Sequence, residues 1–174
     1  MKKKIMKTLV MIPMLVTAMF LSSITSKAAT VCNIRLDEIA PEENESDRTY
    51  NLFSRELFDR VNEYRESIGV EPLEWDDRIY EAAKVRAKEA SEQFSHQRPD
   101  GSWPENVFKE LGIDYYVMGE NLVAYSTDVE TSFNAWYKSP GHRSAMENSK
   151  FKKSAIYVYK AADGYIYAAQ EFMY

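Results

Sequence analysis

The chain has 174 residues, 45% hydrophobic and 28% charged, with a formal net charge of −5 and one cysteine. That length suits a single domain whose core needs no staple, and one cysteine rules out an intramolecular disulfide. An acidic chain without a basic stripe interleaved with aromatics is repelled by nucleic acid, which argues against DNA or RNA as a partner.

In chain order, Lys2, Lys3, Lys4 and Lys7 precede an apolar run over residues 9–21, and Ser26-Lys27-Ala28 places small residues at −3 and −1. This is the layout of a secretory signal peptide. Pro13 and Thr17 interrupt the run, which falls short of the roughly 18–20 apolar residues of a membrane span. Residues 1–28 are therefore expected to be a removed leader, the protein secreted, and stable membrane insertion absent after cleavage. The leader takes five lysines and no acid with it, so the 22 basic residues drop to 17 against 27 acidic, a net of −10. Residues 29–49, with "LDEIAPEENESDR" and Cys32, offer too little apolar surface to offset the entropy of ordering and read as an acidic flexible tail. The domain is expected over residues 50–174.

Ser54 is predicted to cap a helix reaching about Ile68, since Leu57, Val61, Tyr64 and Ile68 recur at helical steps before Gly69. "EPLEW" reads as an extended connector. A second helix is predicted from Asp76 to Phe94, with Ile79, Ala83, Ala87, Ala90 and Phe94 on one stripe. "RPDG" is a turn, and a short helix near Glu105–Leu111 ends at Gly112. "YYVMGENLVAY" is strand-like but interrupted by Gly119. A helix over Val129–Lys138 must stop before Pro140, which disfavours helix at Ser139. "KSAIYVYK" and "YIYAAQEFMY" alternate in period two around Ala162-Asp163-Gly164, a strong hairpin signal. Helices first and an antiparallel hairpin last give an α+β class.

Several residues carry chemistry or a plainer explanation. In "AWYKSPGHRSAM", Ser139 can cap a short helix opened by Pro140. His142 then sits in its first turn, where the positive end of the dipole favours the neutral ring. Such a ring either packs and caps, or accepts a hydrogen bond or a metal. His96, in "FSHQRPDG", either complements the preceding helix C-terminus or joins the same site. Glu120, in an apolar run, is costly to bury alone. Its partners are the two histidines or, in a purely structural role, Arg98 or Arg143. Tyr157, Tyr159, Tyr165 and Tyr167 share a face of the hairpin, as cross-strand pairs or as a stacking platform for a glycan or peptide.

"FSHQRPDG", "GENL", "SPGHRSAM" and "AAQEF", in that order after "ELFDRVNEYRESIGVEPLEWDDRI", resemble the CAP superfamily of cysteine-rich secretory, antigen 5 and pathogenesis-related 1 proteins, in its bacterial form. The resemblance runs from about Ser54 to Tyr174. It implies a three-layer α-β-α sandwich with a mainly antiparallel central sheet and a C-terminal hairpin. It also implies a cleft lined by His96, Glu120 and His142 that can hold a divalent metal. The family's second glutamate falls on Ser139, and the family's disulfides are missing. Two nitrogens and one carboxylate would suit zinc with an open position. Hydrolysis would further need a base near the metal-bound water, for which Glu147 and Glu171 are candidates without an assigned place; no catalytic residue is assigned. The expected role is a non-enzymatic binding module whose cleft, with Ser139 at its side, takes a lipid, a peptide or an envelope component. The alternative is a metal-dependent, peptidase-like hydrolase using His96, Glu120 and His142.

Overall fold

A computed structural model describes residues 45–116 and 118–174. The expected leader and most of the expected tail, Cys32 included, lie outside the described residues. The C-terminal hairpin forms the spine of the fold. Strands β3 (Lys153–Lys160) and β4 (Ile166–Met173) pair antiparallel, and Gly164, at φ 87°, closes the turn between them. β2 (Met118–Ser126) pairs antiparallel with the other side of β4, and β1 (Glu74–Trp75) pairs parallel with β3. The order is β1-β3-β4-β2. The expected extended connector thus becomes a short edge strand and makes an otherwise antiparallel sheet mixed.

Alternation along the strands assigns the two layers. Ala168 and Phe172 of β4 join Ile156 and Val158 of β3 in a cluster with Leu57, Phe58 and Val61 of α1 (Glu45–Ser67), Trp136 of α4 (Val129–Lys138) and Met146 of α5 (Pro140–Glu147). On the opposite face, Ala155, Ala169 and Met173 meet Ile79, Ala82, Ala87 and Ala90 of α2 (Asp77–Glu92) and Val107 and Phe108 of α3 (Glu105–Glu110). The alanines let α2 lie close to the sheet. Each large core side chain removed from water contributes roughly 1.5–3 kcal/mol. β4 is buried along its whole length, as a central strand between two layers must be.

The helix starts differ from the sequence reading for physical reasons. α1 begins at Glu45 and takes in residues 45–49, expected as tail. Tyr50 and Phe53 pack on the core and extend the apolar face backwards. Ser54 is not a cap. Its hydroxyl donates to the Tyr50 carbonyl (2.8 Å) and accepts from the Val158 N–H (3.0 Å), pinning α1 to β3. α2 is capped by Asp76, which accepts from the Arg78 N–H, and ends at Glu92. Phe94 therefore leaves the predicted stripe and is 52% exposed. Gly119 does not break β2. A Cβ there would lie 2.8 Å from the Phe151 ring, so glycine is what lets that ring lie against the strand. Of the hairpin tyrosines, Tyr159 sits opposite Tyr167, whereas Tyr157 faces Ala169 and packs on Tyr80 of α2. Among the described residues no helix is long and apolar enough to cross a membrane.

Candidate functional site

β2 is an outer strand of the sheet, so consecutive residues on it serve opposite layers. Glu120 points to the α2 side and Asn121 to the α5 side. On the α2 side, Arg86 is fully buried. Its Nε donates to Glu120 Oε2 at 2.6 Å, and its Nη2 to Glu120 Oε1 at 3.3 Å. The same guanidinium donates to Glu89 Oε2 at 2.5 Å and to the Ser95 carbonyl at 2.9 Å. Arg86 therefore neutralises Glu120 and also fastens the start of the loop that carries His96. Arg98, buried further along that loop, bridges Glu89 (2.8 Å) and Glu110 (2.6 Å). The turn from Arg98 to Gly101 closes on a 2.9 Å backbone bond.

His96 Nδ1 lies 2.7 Å from Glu120 Oε1. A carboxylate at Nδ1 places a proton on that nitrogen and fixes the orientation of the ring. On the α5 side, Asn121 Nδ2 donates to the His142 carbonyl at 3.1 Å. The two imidazoles, one from each layer, come together with ring centroids 6.2 Å apart. Among the described residues no strand pairs with the outer edge of β2.

The charges follow from burial and pairing. Burial pushes the Glu120 carboxyl up, but the bonds from His96 and Arg86 outweigh it and hold the group below the usual carboxylate range. Burial lowers His142, and the neighbouring His96 adds to that. The neutral ring expected from the helix dipole is thus favoured mainly by desolvation. Glu171 is the direct cross-strand partner of Glu120. It is fully buried, and among the described residues no donor reaches its carboxylate oxygens, which lie within hydrogen-bonding reach of the Glu120 carboxylate. Burial and the Glu120 charge push its carboxyl well above the usual range.

The fold thus brings His96, Glu120 and His142 together, but Glu120 is held by neither Arg98 nor Arg143. Its cation is Arg86. Ser139 occupies the cap position of α5 without making a side-chain cap hydrogen bond, so its placement holds and its capping bond does not. Glu147 is engaged by the Tyr64 hydroxyl at 2.5 Å, with Arg143 3.6 Å away. Arg86 and Glu89 were missed. A signal for Arg86 exists: at three- and four-residue steps it falls on the same stripe as Ile79, Ala82, Ala83 and Ala90, where a charge requires a buried partner.

The expected metal set does not fit this arrangement. Both Glu120 oxygens are taken by Arg86 and His96. Among the described residues no three His, Cys, Asp or Glu side chains are grouped to hold a metal ion.

The profile described as "CAP: Cysteine-rich secretory protein family" matches residues 58–172. A Bacillus subtilis (strain 168) protein, "Uncharacterized membrane protein YlbC", is 28% identical over 99 residues, covering 56% of this chain and 29% of that protein. Among solved structures, an extracellular protein containing a SCP domain from Bacillus anthracis str. Ames superposes with a TM-score of 0.67 at 22% identity, over 77% of this chain and 45% of the other. An outer surface protein from Borrelia burgdorferi gives 0.62 at 24% identity, over 68% and 90%. The chain therefore spans less than half the length of two of these three proteins.

Proposed function

Given that this chain belongs to the CAP, cysteine-rich secretory protein family, we propose that it is a secreted, non-enzymatic binding module whose ligand site is the cleft between His96 and His142. The observation that carries this reading is the engagement of Glu120. Its carboxylate is occupied by Arg86 and by orienting His96, so it is not free to act as a base or to complete a metal set. What the cleft offers a ligand is two imidazoles brought close together. Imidazole nitrogens donate or accept hydrogen bonds, and the ligands they suit carry polar groups, as a peptide or an envelope polymer does. The metal-dependent hydrolase gains no support from the geometry. Secretion is supported by the leader-like residues 1–28 and by fold relatives described as extracellular and outer-surface proteins.

The test compares the chain with its His96→Ala/His142→Ala variant for retention on isolated cell-envelope material. We expect retention to fall about tenfold or more, the loss of roughly two hydrogen bonds, with melting little changed. Equal retention by both proteins sinks the cleft reading. Zinc titration of the same pair separates the alternative. Micromolar binding that disappears in the variant would restore the metal site, and the expected result is no such binding.

A further inference from the structure

At the other end of β2 the strand carries its one irregularity. Val123 pairs with Ala168 but Ser126 pairs with Ile166, so β2 uses one residue more than β4 in a bulge. Within it Tyr125 takes φ 58°, and among the described residues it is the one non-glycine residue at positive φ. A left-handed conformation costs a tyrosine roughly 1–2 kcal/mol that glycine would not incur. An outlier of this kind points towards use of the side chain it displays. That side chain is 61% exposed.

Its surroundings give the ligand chemistry. The Tyr125 ring meets Tyr165, itself 48% exposed, edge to face at 5.2 Å and 86°. It meets the buried Tyr167 at 5.5 Å and 59°. Asp163, exposed in the hairpin turn, is held in place by two donors. Its Oδ1 accepts from the Tyr165 N–H at 2.9 Å and its Oδ2 from the Tyr167 hydroxyl at 3.0 Å. It has no ion-pair partner among the described residues. The corner therefore combines two exposed aromatic rings set perpendicular to each other with a fixed carboxylate lacking a cation. Ring faces are negative, and they attract cations, ammonium groups above all. An anion is repelled by Asp163, and a neutral apolar group would bury the carboxylate beside it without compensation.

We propose that Tyr125, Tyr165 and Asp163 form a binding site for a quaternary or methylated ammonium cation, separate from the histidine cleft. The cation rests on the tyrosine rings and is neutralised by Asp163. Such a group can come as a free small cation or as the choline headgroup of a lipid.

The test titrates the full chain with choline and with its neutral carbon isostere 3,3-dimethyl-1-butanol, following the tyrosine ring protons by NMR. Choline is expected to shift the Tyr125 and Tyr165 signals with a dissociation constant on the order of millimolar, and the isostere to bind at least about fivefold more weakly. Tyr125→Gly is the decisive variant, because glycine suits the backbone at this position and the fold is retained. It should lose choline binding, as should Asp163→Asn. Choline shifts that persist in Tyr125→Gly overturn the site. So does equal binding of choline and isostere, or no shift at all. Sedimentation with phosphatidylcholine vesicles then identifies the source: co-sedimentation lost in Tyr125→Gly means a lipid headgroup, and choline binding without co-sedimentation means a soluble cation.

Discussion

Arg65, under the corner between α1 and α5, and Arg86, under the corner between α2 and β2, are both cut off from solvent, yet they are compensated in different ways. Among the described residues Arg65 hydrogen-bonds only to carbonyls: those of Glu71 (2.8 Å), Met146 (2.5 Å), Asn148 (3.1 Å) and Phe151 (3.4 Å). Four of its five N–H hydrogens find acceptors but its charge meets no carboxylate among the described residues, and burial lowers its pKa. Burial also works against the charge on Arg86, but the Glu120 and Glu89 carboxylates outweigh it and raise its pKa. The first guanidinium ties chain segments together. The second holds an acid in a place where an acid would otherwise not be tolerated, and through that acid it orients His96. The sheet has two different faces: the one towards α1 carries the cluster from Leu57 to Phe172, and the other carries the cross-strand pair of acids, Glu120 and Glu171.

The strongest way to break this contrast is Arg86→Met. It leaves Glu120 buried without its cation and frees the Ser95 carbonyl, at an expected cost of about 3–5 kcal/mol. Urea denaturation at neutral pH measures it. A loss under about 1 kcal/mol, the size of an exposed pair, would mean the ion pair is not what makes Glu120 tolerable. Arg65→Met should cost less, about 2–3 kcal/mol, because it orphans carbonyls rather than a charge. It should also leave the His96 ring signals in the NMR spectrum unmoved, whereas Arg86→Met shifts them. If both variants move those signals alike, the two corners are not independent.

What could be read beforehand was local. Pro140 ended α4 at Lys138, and Asp163-Gly164 fixed the hairpin. Four short motifs in order were enough to indicate the family and to single out His96, Glu120 and His142 as a group. The misreadings share a cause, which is that partners distant in sequence decided the outcome. Ser54 looked like a cap because the Val158 N–H that it serves lies on β3. Phe94 looked like core because the extended backbone at Gln93 was not visible in the periodicity. Arg86 drew no reading from its alanine stripe, and Glu120 was matched to the histidines, Arg98 or Arg143, of which His96 is a partner. Each needed a partner, and only the packing of α2 on β2 shows that they found each other. The bulge that strains Tyr125 left no trace in the residue pattern.

Glu171→Gln is the smallest and most specific change. Glu171 is faced by Arg86 and Glu89 from α2 and by Glu120 from β2, and Arg86 is already neutralised by the two other acids. An ionised Glu171 would therefore be uncompensated, and its carboxyl is pushed well above the ordinary 4.5. Glu120 is shifted the opposite way, below 4.5. The signs separate the two. A carboxyl raised on folding contributes stability that is complete below 4.5 and is lost as pH climbs towards its folded value. One lowered on folding contributes stability that is complete above 4.5 and is lost as pH falls. His142, lowered from 6.5, also loses stability towards acid, and this is common to wild type and variant. The variant should therefore match wild type near pH 4 and be the more stable of the two at pH 8, since the amide needs no proton. Melting curves across that range decide the matter. A gain that is the same at every pH would mean that the introduced amide simply packs better. A loss at pH 8 would mean that Glu171 is ionised in the folded protein and that Arg86 has charge to spare for a second acid.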